Sequence, residues 1–253
     1  MYVVVVGYLV WKMPPSGQSD EANAGYLARC RRICEKFGLV STGDIKKDAE
    51  ALIVASRQQQ ASASTKTGTV ATDEQSESPQ LGELPESLHP LLGKPAPNFT
   101  LKNVKEESVK FSDLRAGRPS VLVFYYGYHC SHCVAQLFAI DHDLPEFEKL
   151  GLPVIALSAD PPEATVEKYK EYGEFHFPVL ADPDDEVAHI YGCFEKIKEG
   201  EKVVGEKQLH GTFLLDRDGI VKWAYTGEEP FFDNRALLKR AAELFDAKSD
   251  KAQ

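Results

Sequence analysis

No stretch of this chain is apolar over the roughly 20 residues that a bilayer-spanning helix needs. The most apolar run, Tyr2 to Trp11, is about half that length. It looks like a short signal core, yet no positive charge precedes it and Lys12 follows it. A cleavage-like triplet, Ala22-Asn23-Ala24, lies only after a long polar stretch. The reading favours a cytoplasmic protein, with export or anchoring through this N-terminus as the alternative.

Basic charge is in deficit: 29 Lys and Arg stand against 39 Asp and Glu, a net charge of −10. There is no basic stripe with interleaved aromatics, which argues against a nucleic-acid partner. A glycine loop of the phosphate-binding kind is missing, so no nucleotide is expected, and no other cofactor is implied. Cysteine is scarce and odd in number, with five in 253 residues. That excludes a disulfide-stapled scaffold. A close cysteine pair in a chain of this length points to catalysis or metal binding instead.

The apolar share, 43%, suffices for a true core. Three zones follow one another. Residues 1–56 form a small, mainly helical segment. Within it Ala24 to Phe37 has helical spacing, Gly38 ends it, and Ile45 to Ser56 predicts a second helix. Residues 57–88, rich in Ser, Thr, Gln and Ala, read as a disordered low-complexity linker. Residues 89–253 alternate strand and helix patterns.

In this last zone Val121–Tyr126 and Pro153–Ser158 are continuous apolar runs, as strands buried on both faces require. Helices are expected from Cys130 to about Leu150, Pro161 to Tyr172, Asp184 to Tyr191 and Asn234 to Phe245. Phe177 to Leu180 is a short extended piece. Asp218-Gly219 predicts a hairpin between strands at Thr212–Leu215 and Ile220–Tyr225. Glu195 to Lys207, charged and glycine-containing, reads as a solvated loop. The pattern implies an α/β fold with a central mixed sheet flanked by helices.

The chemistry centres on Cys130-Ser131-His132-Cys133, which follows the strand directly. A CxxC between a buried strand and a helix reads as a thioredoxin-like redox motif. At the first turn of a helix, free backbone amides and the dipole stabilise a thiolate. Cys130 is therefore expected to be the attacking sulfur. Cys133, three residues on, is placed to resolve a mixed disulfide or a sulfenic acid on the first. A charged His132 would further favour the Cys130 thiolate.

Other residues admit packing roles. Cys30 and Cys34 share a face of the predicted N-terminal helix and read as small buried side chains rather than ligands. Cys193 reads as core, with a resolving role as the alternative. His129, His132, Cys130 and Cys133 make a dense cluster, with His210 as a distant third ligand. Copper or zinc binding is the alternative there, but the second ligand pair typical of zinc sites is missing. Tyr126 and Tyr128, by strand alternation, should share a side as site walls or core. Asp182, Asp184 and Asp185 are expected to cap a short helix.

Several further pieces occur in order: Gly93-Lys94-Pro95-Ala96-Pro97-Asn98-Phe99-Thr100-Leu101, Phe111-Ser112-Asp113-Leu114, Val121 to Tyr125, Val154 to Ser158, Phe177 to Asp184, and Thr212 to Gly219. Together they resemble the alkyl hydroperoxide reductase/thiol-specific antioxidant family, the peroxiredoxin-like branch of the thioredoxin superfamily. The resemblance spans about Leu91 to Phe245. It implies a thiol oxidoreductase that reduces peroxides or disulfides, with an external thioredoxin-like dithiol as reductant; the sequence leaves an oligomer open and does not set the oligomeric state. The implied substrate pocket comprises Tyr126, Gly127, Tyr128, His129, His210, Gly211 and Thr212. Two departures stand out. Val123 and Gly127 occupy the positions of the family's proline and threonine before the reactive cysteine, and His210 replaces its arginine. Thioredoxin-like exchangers carry a cis-proline where this chain has Gly211.

Overall fold

The computed structural model describes residues 39–40, 42, 44–64 and 84–246. The predicted helix Ala24–Phe37, Cys30, Cys34 and the apolar run Tyr2–Trp11 lie outside the described residues. Among the described residues, no helix is long and apolar enough to cross a membrane.

In chain order the elements are α1 (Ile45–Ser64), β1 (Thr100–Asn103), β2 (Ser108–Lys110), α2 (Phe111–Arg115), β3 (Ser120–Tyr125), α3 (Ser131–Lys149), β4 (Val154–Ser158), α4 (Pro162–Tyr172), β5 (Val179–Ala181), α5 (Glu186–Ile190), β6 (Phe194–Glu199), β7 (Lys202–Gln208), β8 (His210–Leu215), β9 (Val221–Gly227) and α6 (Asn234–Asp246). Seven strands form one mixed sheet in the order β2-β1-β5-β4-β3-β8-β9. β3, β4 and β5 run parallel, and β8 and β9 continue the sheet antiparallel. Every residue of β3, β4, β5 and β8 is buried, because helices cover both faces.

Strand alternation divides the core in two. Val121, Val123, Val154, Ala156 and Leu214 face α3 and α6, where they meet Val134, Leu137, Phe147, Leu237 and Ala241. Leu122, Phe124, Ile155, Leu157, Phe213 and Leu215 face the other way, toward Phe111 of α2 and Val187 and Ala188 of α5. Phe213 is fully buried and meets Phe124 and Tyr191 edge-on at centroid distances of 5.6 and 5.2 Å. Truncating it leaves a cavity that such a packed layer cannot fill. Phe213→Ala is expected to lose about 3–5 kcal/mol. Chemical denaturation checks this; a loss below about 1 kcal/mol would contradict the packing described.

Three expectations change. α1 runs on to Ser64, into the segment read as linker, and it packs on α3 through Ala49 and Leu52, with Arg57 paired to Asp143 at 3.2 Å. Its apolar positions find a partner helix, which composition alone cannot show. The far end of the same segment is also ordered: the Trp223 indole donates to the Pro85 carbonyl at 2.9 Å, and the Ala224 amide to Ser87 Oγ at 3.2 Å. Finally, Glu195–Lys207 is no loop. β6 and β7 pair antiparallel into a hairpin turning at Gly200, whose φ of +63° suits glycine. The hairpin leaves both faces largely in water, so it shows no burial pattern.

Candidate active site

β3 ends at Tyr125, and a turn leads to Cys130. The Cys130 amide donates to the Gly127 carbonyl at 3.2 Å. Cys130 itself is the N-cap of α3, in extended geometry, and its Sγ accepts from the Cys133 amide at 3.2 Å. A sulfur in that position meets the positive end of the helix dipole. Both sulfurs lie below the surface, with 1% and 0% of the two residues exposed, and neither is in a disulfide.

Strand pairing brings the third group. β8 lies beside β3 with Gly211 opposite Phe124 and Thr212 opposite Val123. This sets His210 at the sulfurs: its Nε2 lies 3.0 Å from Cys133 Sγ and 3.9 Å from Cys130 Sγ. The two sulfurs and Nε2 all fall within 4.8 Å of one another. Tyr126 packs against the imidazole at a centroid distance of 4.2 Å, and its hydroxyl donates to the Gln208 carbonyl at 2.5 Å. Gln136 of α3 ties the site to its floor by donating to Thr212 Oγ1 at 3.0 Å and to the Phe231 carbonyl at 2.9 Å. Of the cysteine and histidine cluster expected from the sequence, His129 and His132 do not join this group. His132 is fully buried on α3, and His129 is the exposed residue of the turn.

Tyr126 and Tyr128 part company. The strand stops before them and Gly127 takes a φ of +109°, so alternation does not carry through the turn. Tyr128 turns into an aromatic cluster, stacking with Tyr172 and Phe175 at 6.3 Å. Gly211 also leaves the expected pocket. A Cβ there would point at Cys193 Sγ, 2.6 Å away, on the opposite face of the sheet from Cys130. Cys193 therefore sits in core across the sheet, where burial pushes its thiol pKa up.

Asp160 belongs to no motif in the sequence. Its carboxyl occupies the space beside Gly127: a Cβ at that glycine would meet Asp160 carboxyl atoms at 2.5 Å. The Tyr128 amide donates to Asp160 Oδ2 at 2.7 Å. Burial raises the Asp160 pKa, opposed by that amide bond and by His129. Desolvation lowers the His129 pKa, opposed by the Asp160 charge. Only the glycine itself hinted at this close approach.

Of the acidic cluster, Asp182 is the residue whose side chain caps a helix, while Asp185 at the N-cap position makes no such bond. Asp182 accepts from the Val187 and Ala188 amides of α5 at 3.2 and 2.9 Å. Asp185 accepts from the Gln208 side chain at 2.9 Å. Burial, then the neighbouring Asp182 and Asp184 charges, push its pKa from 3.8 up to about 7. Between those values the folded chain holds a proton that the unfolded chain releases, so stability falls as pH rises through that window. Asp185→Asn keeps the acceptor and removes the titration. Its melting temperature relative to the unaltered chain is expected to be higher at about pH 8 than at about pH 5. An equal difference at both pH values would contradict the shift.

The comparisons agree with this geometry. The AhpC/TSA family model matches residues 92–224. A Mycobacterium tuberculosis protein named as a candidate peroxiredoxin is 34% identical over 130 residues, which is 51% of this chain and 80% of that protein. The thiol-disulfide oxidoreductase ResA of Geobacillus kaustophilus is 29% identical over 136 residues, covering 54% of this chain and 70% of that protein. The reduced 2-Cys peroxiredoxin of Plasmodium vivax superposes with a TM-score of 0.52 at 16% identity, over 63% of this chain and 99% of the other, a likeness of fold. A thioredoxin-like sheet that sets a cysteine pair on a helix N-terminus is thus matched in sequence by both peroxide- and disulfide-named thiol proteins, and the chain belongs to the AhpC/TSA family as a thiol-dependent oxidoreductase.

Proposed function

We propose that residues 89–253 form a redox domain that reduces peroxides or disulfides by cycling Cys130 and Cys133 between dithiol and disulfide. The observation that carries this reading is the grouping of both sulfurs with His210 Nε2 at the start of α3. The Cys130 thiolate attacks one peroxide oxygen. The O–O bond breaks, the alkoxide leaves and takes a proton, and Cys130 becomes a sulfenic acid. Cys133 then attacks that sulfur. Its proton passes through His210 Nε2 to the departing hydroxide, giving water and the Cys130–Cys133 disulfide. With a disulfide substrate, Cys130 forms a mixed disulfide and Cys133 displaces the remaining thiol. An external thioredoxin-like dithiol returns two electrons and two protons. The place expected of His132, beside the sulfurs, is taken by His210. Tyr126, packed on the His210 ring, and Thr212, held by Gln136, border this centre.

One observation favours disulfide over peroxide as the substrate. The Asp160 carboxyl fills the space beside Gly127, where the family's threonine would hydrogen-bond peroxide. Rapid mixing of the reduced protein with hydrogen peroxide, following thiol loss, separates the two. Oxidation far faster than that of a free cysteine thiolate identifies a peroxidase. Oxidation no faster identifies a dithiol–disulfide exchanger. A pair that neither oxidant converts to the disulfide overturns the cycle.

A further inference from the structure

We propose that the reduced protein binds one Cu(I) ion through Cys130 Sγ, Cys133 Sγ and His210 Nε2. The set contains two soft sulfurs and one imidazole and no carboxylate, the donor chemistry of soft metals and not of magnesium or calcium. The spacing also fits. With bonds of about 2.3 Å to sulfur and about 2.0 Å to nitrogen, a trigonal ion holds its donors about 3.7–4.0 Å apart. The Cys130–His210 separation is already 3.9 Å, and the Cys133–His210 separation of 3.0 Å must open by less than an ångström. The donors come from rigid elements, the capped start of α3 and the central strand β8.

Coordination number selects the metal. Zinc takes four ligands in closed sites, and this group offers three among the described residues. Two thiolates and a monocation leave one net negative charge at the positive end of α3. Binding displaces the protons that the two sulfurs still carry and changes no oxidation state. The ion and the disulfide compete for the same sulfurs, so copper uptake belongs to the dithiol form alone. The proposal shares the reduced pair with the redox reading but requires no turnover.

The test is an anaerobic titration of the reduced full chain against Cu(I) held by bicinchoninate, followed by the colour of that complex. One equivalent withdrawn by the reduced chain is expected, and none by the oxidised chain or by the Cys130→Ser/Cys133→Ser double variant. His210→Ala should weaken binding at least about tenfold. Copper X-ray absorption on the unaltered protein should find two sulfurs and one nitrogen, which keeps the test valid if His210→Ala fails to fold. No withdrawal, an all-sulfur shell, or displacement of the copper by equimolar zinc would overturn the proposal. Copper uptake by a reduced chain whose cysteines never form a disulfide would sink the redox cycle and leave the copper site standing.

Discussion

Cys130→Ser should reduce turnover with every oxidant to the rate without protein, whereas Cys133→Ser should complete one chemical step and stop. The first follows because only the Cys130 sulfur caps α3 and accepts its amide. The variant should still fold, since serine is itself a preferred N-cap and can take the same bond from the Cys133 amide. Its stability should change by less than about 1 kcal/mol, which separates lost chemistry from lost structure. Cys133→Ser leaves the attacking sulfur and removes the resolving one. A sulfenic acid should then accumulate with peroxide, read by a dimedone adduct, and a mixed disulfide with a disulfide substrate, read by mass. Normal cycling of Cys133→Ser with a dithiol reductant would show that the resolving role lies elsewhere.

Gly127→Thr, which restores the family's residue at that position, should damage this protein. Two penalties combine. The φ of +109° strains any residue with a Cβ, at about 1–3 kcal/mol. The new Cβ would also sit 2.5 Å from the Asp160 carboxyl, a collision that overpacks the turn by about 1–3 kcal/mol more. Trimming the acid should relieve the second penalty and not the first. The Gly127→Thr/Asp160→Ala double variant should therefore be more stable than the sum of the single losses, by about 1 kcal/mol or more in a double-mutant cycle. Additive losses would mean that the carboxyl moves aside and that Gly127 and Asp160 are not one unit.

Much of this fold was legible because its signals are local. Buried parallel strands read as unbroken apolar runs, so β3 and β4 were found within a residue at their ends. The cysteine pair was found because helix capping depends only on adjacent residues. Strand alternation does not hold for Tyr126 and Tyr128, because the strand ends at Tyr125 rather than continuing through them. The β6–β7 hairpin escaped because it packs on nothing that would impose alternation; Ile197 and Val203 remain 46% exposed on it. His210 was known as a departure from the family's arginine, but its distance to Cys133 depends on how β8 registers against β3. Asp160 left no trace except Gly127, and its approach required β4 and the turn to be folded together. In each case what was missing is a contact between segments far apart in the chain.

The most direct measurement is peptide mapping of the protein after one equivalent of oxidant, with free thiols blocked at once. The account predicts a single cross-linked product, Cys130 to Cys133, with a mass loss of two hydrogens. Cys193, buried across the sheet, should remain a free thiol throughout. A dominant cross-link through Cys193, Cys30 or Cys34, with Cys133 still free, would contradict it.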